Sequence, residues 1–329
     1  MKMAVLTPNG FELHETAVPA IAGDEVLIRT LACGICSGDV FVYQNRPELA
    51  ATHGRLGHEA SGEVVGVGRN VTAYQPGDIV TALASPAYSE SFAAPAGGLV
   101  KLSPQINSTY ALGEAVACCV HAANRFGTQP SDKVAVIGCG FMGLICLQLA
   151  RYQGAGLICA IDPLPERREM GARFGADVTY NPFAATGAEI LGQQGPFDII
   201  IEAAGVQSAI DLSTELVAQH GRIILVGYHQ SNNGLRTVNL QQWNFKAIDV
   251  VNGHVRREDE KAAAMRQGMA LMALGHINTQ PLVTVYDLQD IETAFRDLVN
   301  RKSGLFKAVL QIGRPPGAHT HLIHSRLIH

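Results

Sequence analysis

Three observations predict an α/β protein of two domains, a β-barrel-like unit joined to a doubly wound parallel sheet. Roughly the first hundred residues hold many short strand patterns with turn signals at close intervals. Strand and helix patterns then alternate over about 120 residues. A glycine-rich strand–turn–helix, Val134–Gly143, opens that alternation. The length of 329 residues exceeds what one ordinary core holds, and a composition of 47% hydrophobic and 16% charged residues supplies two cores and excludes disorder.

In chain order, Lys2–Leu6 and Phe11–Glu15 read as strands around the turn Thr7-Pro8-Asn9-Gly10. Glu25–Cys33 is β-rich and runs into a cysteine-bearing turn, Cys33–Asp39. Gly62–Val71 is again strand-like, with Gly66 and Gly68 marking bulges or close backbone approaches. Gln75-Pro76-Gly77-Asp78 turns the chain into a strand at Ile79–Ala82, and Ala111–Ala123 reads as a buried helix. Strands at Val134–Ile137, Leu157–Ile161, Val178–Tyr180, Phe197–Ile201, Ile223–Val226 and Ala247–Val251 follow, with helices at Gly143–Gln153, Pro165–Phe174 and Ala209–Gln219. Continuous apolar strands between helices indicate a parallel sheet covered on both faces. A helix at Asp259–Leu274, a strand at Leu282–Val285, a helix at Ile291–Asn300 and a strand at Lys307–Ile312 return the chain to the first unit. The expected boundaries are 1–117, 118–257 and 258–313, with a tail over 314–329 that carries His319, His321, His324 and His329.

A net charge of −4, a pI near 6.3 and only 6% aromatic residues exclude a nucleic-acid partner. Met1–Leu6 passes into polar residues too soon for a signal peptide, and no apolar run nears the roughly 20 residues of a membrane helix. Seven cysteines, mostly inside apolar runs such as Cys118–Cys119, suit buried thiols in a reducing compartment. A soluble cytoplasmic protein with no membrane partner is expected.

Val134–Gly143 (VAVIGCGFMG) sets G-x-G-x-x-G between a strand and a helix. Gly138 permits the tight turn, Gly140 lets the backbone approach a pyrophosphate, and Gly143 lets helix and strand pack. Phe141 and Met142 complete the loop before the helix, whose unpaired N–H groups face the anion. Asp162 ends the next strand, where a carboxylate accepts from the ribose hydroxyls and repels a 2′-phosphate, so NAD is expected rather than NADP. Arg167 and Arg168 either meet a phosphate or lie at the surface and adenine edge.

Catalytic zinc takes three ligands from Cys, His and carboxylate side chains and keeps one position open. Cys36, His58 and Glu114 offer such a set, with Glu59 adjoining His58. Cys33–Cys36 also fits C-x-x-C, but without a βα context or a second cysteine pair Cys33 reads as a buried thiol.

Cys33–Asp39, Gly57-His58-Glu59 with Gly62, Gly68 and Val71, Pro76-Gly77-Asp78, Glu114 in LGEAVACCVHA and the glycine loop together resemble the zinc-dependent medium-chain dehydrogenase/reductase superfamily. The resemblance is strongest to the sorbitol and threonine dehydrogenase branch and spans about residues 1–313. It implies a GroES-like catalytic domain interrupted by a Rossmann domain. It also implies Cys36 and His58 as zinc ligands, Glu59 or Glu114 as the remaining carboxylate (direct or exchanging with water), and Asp39 as the group orienting His58. Ala204-Gly205 and Val226-Gly227 would line the cofactor and Lys307 would reach its pyrophosphate. Thr81–Pro95 holds no cysteine, so one catalytic zinc and no structural zinc is expected. A homodimer or homotetramer paired through Ala247–Val251 is also implied.

Two positions depart from the family. Gly38 lacks the hydroxyl that contacts the alcohol and starts a proton relay, and Phe41 replaces a relay histidine, leaving Ser37, Tyr43 or His53 as substitutes. The expected reaction is hydride transfer between NAD(H) and a secondary alcohol or polyol, or its ketone, with a pocket near Phe41, Tyr43, Phe92 and Asn252. Two competing expectations are a metal-independent reductase of quinones or activated alkenes and a non-catalytic nucleotide-binding protein. Retention of Cys36, His58, Glu59 and Glu114 counts against the first.

Overall fold

The structure, a computed structural model, describes residues 1–313; the histidine-bearing tail lies outside them. The chain opens on a hairpin, β1 (Lys2–Thr7) and β2 (Gly10–Glu15), paired in antiparallel register. Strand β3 (Glu25–Gly34) follows, then two helices, α1 (Ser37–Gln44) and α2 (Arg46–His53). Sequence patterning predicts only a turn here. Each helix is eight residues long, too short to display a clear 3.6-residue apolar period. Strands β4 (Glu59–Val67), β5 (Ile79–Ala82), β6 (Ser91–Pro95) and β7 (Leu99–Lys101) complete this region.

Helix α3 (Gly113–Ala123) leads into alternating elements: β8 (Lys133–Ile137), α4 (Phe141–Tyr152), β9 (Leu157–Ile161), α5 (Pro165–Arg173) and β10 (Val178–Tyr180). The series continues with α6 (Gly187–Gln194), β11 (Phe197–Glu202), α7 (Gln207–Leu216), β12 (Val217–Leu225), α8 (Leu240–Lys246) and β13 (Asp249–Asn252). Helix α7 stops three residues before the predicted end because Val217 pairs with Phe197 in the sheet. Helix α8, absent from the sequence reading, is capped by Asn239, whose side chain accepts from the Gln242 N–H at 3.1 Å. The chain ends with α9 (Glu258–Ala273), β14 (Val283–Asp287), α10 (Ile291–Val299) and β15 (Lys307–Gln311).

Six parallel strands lie in the order β10-β9-β8-β11-β12-β13, which is 3-2-1-4-5-6 counted within the sheet. The order reverses between β8 and β11, so a crevice for a ligand opens beyond their carboxyl ends. The other large sheet runs β14-β15-β3-β4-β5-β7, with β6 also on β3, and is antiparallel except for β14 beside β15. Its last strand sets Val309 opposite Gly34, which carries Lys307 to the end of β3. Helices α3 and α9 pack on each other and against β4, β5 and β7, with α4 on α3. Val116 and Val120 are fully buried there, each worth about 1.5–3 kcal/mol. Among the described residues no helix is long and apolar enough to cross a membrane.

Candidate active site

Three strand ends assemble a cluster of donors. Cys36 precedes α1, and Asp39 sits in that helix's first turn with its carboxylate reaching back to the Cys36 N–H at 3.3 Å. His58 and Glu59 lie at the start of β4. Among the described residues, one group of three or more potential ligands converges: donor atoms of Cys36, His58 and Glu59 lie within 4.8 Å of one another. Gly34 faces Glu59 across the strand pair, and a Cβ at Gly34 would collide with Glu59 Oε2. That bare backbone makes room for a buried carboxylate.

Glu59 is 2% exposed. Its Oε1 accepts from Lys307 Nζ at 2.6 Å, while Oε2 is buried with no hydrogen-bond partner. A thiol, an imidazole and an orphaned carboxylate oxygen are the donor types zinc takes, so these residues fit that ion. Glu114 stands apart, accepting from Lys261 Nζ at 2.9 Å and from the Cys118 thiol at 3.6 Å. Of the two carboxylates the sequence left open, Glu59 is the one beside Cys36 and His58.

Asp39 is 3% exposed and holds His58 from behind: Oδ1 is 3.5 Å from Nδ1, while Oδ2 accepts the Tyr88 O–H at 2.6 Å. With Nδ1 facing the carboxylate, Nε2 is left for an ion. Burial works to lower the His58 pKa, but hydrogen bonds and charge from Asp39 and Cys36 outweigh it and push the value up to about 11. Burial raises the Glu59 pKa, with Lys307 the main force opposing it. Burial works against the Lys307 ammonium too, but Glu59 reverses it and the Lys307 pKa is raised.

Tyr88 is the residue sequence reasoning missed. It lies 49 residues from Asp39, and the only signal was general: a buried tyrosine needs a partner for its hydroxyl. Tyr88→Phe is expected to fold and to weaken zinc binding by about 10–100-fold, the usual cost of losing a group that orients a ligand. Competition with a chromophoric chelator measures this; unchanged affinity removes Tyr88 from the site.

Several other expectations need revision. Tyr43 donates to Glu292 Oε1 at 2.5 Å and stacks on Phe11 at 5.9 Å, so it belongs to a core rather than to a relay. Phe92 is 2% exposed in the same core. His53 ends α2 and bonds its neighbour Thr52 at 2.8 Å. Ser37 begins α1 directly after Cys36, and Phe41 is exposed. Lys307, expected at a pyrophosphate, is committed to Glu59, its ammonium 5.0 Å from the centre of the Phe141 ring.

The glycine loop sits at the reversal of strand order. Gly138, at φ +96°, closes on the backbone of Ala203–Ala204 beyond β11, and a Cβ at Gly143 would strike the Gly138 carbonyl. Gly140 precedes α4, with Phe141 and Met142 in its first turn. Glu202 Oε1 accepts from the N–H groups of Ala204 and Gly205 at 3.0 and 2.7 Å, which shapes the facing strand end, and Val226 and Gly227 both donate to the Glu202 carbonyl. Asp162 accepts from the Cys139 N–H at 2.8 Å and the Leu164 N–H at 2.9 Å, with Arg167 at 3.8 Å. Arg168 is turned to the carbonyls of Asp162 and Pro163.

Residues 22–103 match the family described as alcohol dehydrogenase GroES-like domain, and residues 142–272 match zinc-binding dehydrogenase. The chain is 27% identical to the sorbitol dehydrogenase of Bacillus subtilis, covering 95% of this chain and 98% of that protein. It is also 27% identical to the L-threonine 3-dehydrogenase of Bacillus velezensis, covering 94% and 98%. A crystal structure of an Escherichia coli oxidoreductase of unknown specificity superposes with a TM-score of 0.84 at 25% identity, over 95% of this chain and 99% of that one.

Proposed function

The chain belongs to the zinc-type medium-chain dehydrogenase family, and on that premise we propose that it interconverts a secondary alcohol or polyol and its ketone with one zinc ion and NAD. The convergence of Cys36, His58 and Glu59 next to the loop at the sheet's switch point carries this reading. Oxidation of the alcohol balances as loss of a hydride from the carbinol carbon and of a proton from its hydroxyl as the C=O bond forms, and a bound nicotinamide would supply the hydride acceptor. Bound at Cys36, His58 and Glu59, zinc supplies a Lewis acid that lowers the alcohol's pKa and stabilises developing negative charge.

The chain's own residues do the positioning. Asp39, held by Tyr88, keeps the imidazole oriented, and Lys307 offsets the buried charge of Glu59. With no hydroxyl at Gly38 and Glu59 committed to the ion and to Lys307, the Glu114 carboxylate is the group left to take up the alcohol's proton, and Ser37 is the one hydroxyl next to Cys36. The N-terminus of α4 receives the pyrophosphate, and the Asp162 carboxylate repels a 2′-phosphate, which favours NAD. We read 1–117 with 258–313 as the catalytic domain around a nucleotide-binding domain at 118–257. We also read β13, an outermost strand with Val250 39% exposed, together with α8, where Phe245 is 76% exposed, as a surface for a second copy.

Metal analysis with NAD- and NADP-coupled assays on a broad alcohol panel tests the reading. One zinc per chain is expected, with kcat/KM for NAD exceeding that for NADP by at least about tenfold, because like charges would meet at Asp162. Turnover by the metal-free protein, or quinone reduction without any alcohol oxidation, sinks it.

A further inference from the structure

One face of α3 leads away from the metal centre. Glu114, Cys118, His121 and Arg125 recur at intervals of four, three and four residues, so they line up along the helix and its immediate extension. His121 lies seven residues beyond Glu114, about 10 Å along the axis at 1.5 Å per residue. There it lines a cavity of about 600 Å³ between the end of α3, the loop after β13 and the first turns of α9.

The walls of this cavity carry unbalanced positive charge. Arg125, Arg256 and Arg257 line it with His121 and His254, against the single carboxylate of Glu260. That carboxylate is already 3.5 Å from Arg257, which also holds Asp259 at 2.8 Å. Arg125 donates to the Asn252 carbonyl. Arg256 makes no hydrogen bond or ion pair among the described residues, and its charge bears unfavourably on His254 and Lys261. Through His254 the cavity also reaches the strand ends of the parallel sheet. His254 follows the carboxyl end of β13, its Nε2 3.4 Å from the Gly227 carbonyl beyond β12, and the carboxyl ends of parallel strands are where such sheets take ligands.

A neutral polyol leaves the Arg256 guanidinium unpaired, whereas a phosphate dianion matches its planar, bidentate geometry. We propose that the alcohol substrate carries a phosphate monoester, which seats in this cavity on Arg256 while its carbinol carbon reaches the Cys36–His58–Glu59 site. The phosphate takes no part in bond making; hydride and proton leave as in the neutral case. This inference rests on the alcohol dehydrogenase reading and names its substrate class.

The test compares initial rates of the zinc-loaded full chain on four- to six-carbon polyols, their terminal phosphates and the matching terminal carboxylates, with wild type and Arg256→Gln. Phosphates are expected to exceed neutral polyols in kcat/KM by about 100-fold, chiefly through KM, and R256Q to cut that ratio at least about tenfold, the scale of one charge-assisted hydrogen bond. A ratio near one, a ratio that R256Q leaves unchanged, or a preference for carboxylates overturns the proposal while the dehydrogenase reading stands. If nothing in the panel turns over, that reading fails instead. Calorimetry with inorganic phosphate then decides the anion site by itself: saturable binding weakened by R256Q upholds it, and no binding overturns it.

Discussion

Cys36→Ser protein is expected to lose bound zinc and turnover together. Serine keeps the shape but not the chemistry, since its hydroxyl stays protonated where a thiolate would bind the ion. Removing the Lewis acid forfeits several kcal/mol of stabilisation for the developing charge, so kcat/KM should fall on the order of a thousandfold. Metal content, measured alongside initial rates and circular dichroism, separates this from misfolding: the spectrum should match wild type while zinc is absent. Full activity in the zinc-depleted variant would falsify the metal mechanism.

Lys307→Met is expected to destabilise the metal-free protein by about 3–5 kcal/mol, the cost of leaving one member of a buried ion pair alone. Glu59 and Lys307 are 1% and 8% exposed at their side chains, so little water screens either charge. Burial raises the Glu59 pKa, and Lys307 is the largest force holding it down. Without that ammonium the folded-state pKa climbs further above the unfolded one. A carboxyl raised in this way costs nothing below its unfolded pKa of about 4.3, and the cost grows as pH rises toward the folded value. The deficit should therefore be small in acid and large at pH 8, as urea unfolding at several pH values would read. Adding Glu59→Gln should recover most of the loss, because an uncharged amide needs no cation. A deficit that ignores pH, or one that Glu59→Gln deepens, removes the ion pair from the account.

Much of the fold was legible because its signals are local. The strands at Ile79–Ala82, Leu157–Ile161 and Val178–Tyr180 fall at their predicted bounds, since short apolar runs between turn residues leave little choice of conformation. The missed helices α1, α2, α6 and α8 have seven or eight residues each and bury few side chains, so periodicity is faint. For α6 a signal was present: Thr186 and Glu189 form a capping box, Thr186 Oγ1 accepting from the Glu189 N–H at 3.3 Å.

The sequence by itself determined the residue types: a thiol, an imidazole and two carboxylates near one another in kind, and a glycine loop between strand and helix. Those choices are chemical, and zinc and pyrophosphate constrain them through ligand softness and backbone reach. Only the tertiary structure decided which carboxylate stands beside the thiol and the imidazole. Glu59 takes that place because Gly34 clears room for it and β15 delivers Lys307 to balance it, while Lys261 on α9 draws Glu114 aside. It also decided that Tyr88 braces Asp39 and that three arginines gather around one cavity. These partners lie tens to hundreds of residues apart in the chain. Pairing of buried charges and hydroxyls depends on distances that only packing sets.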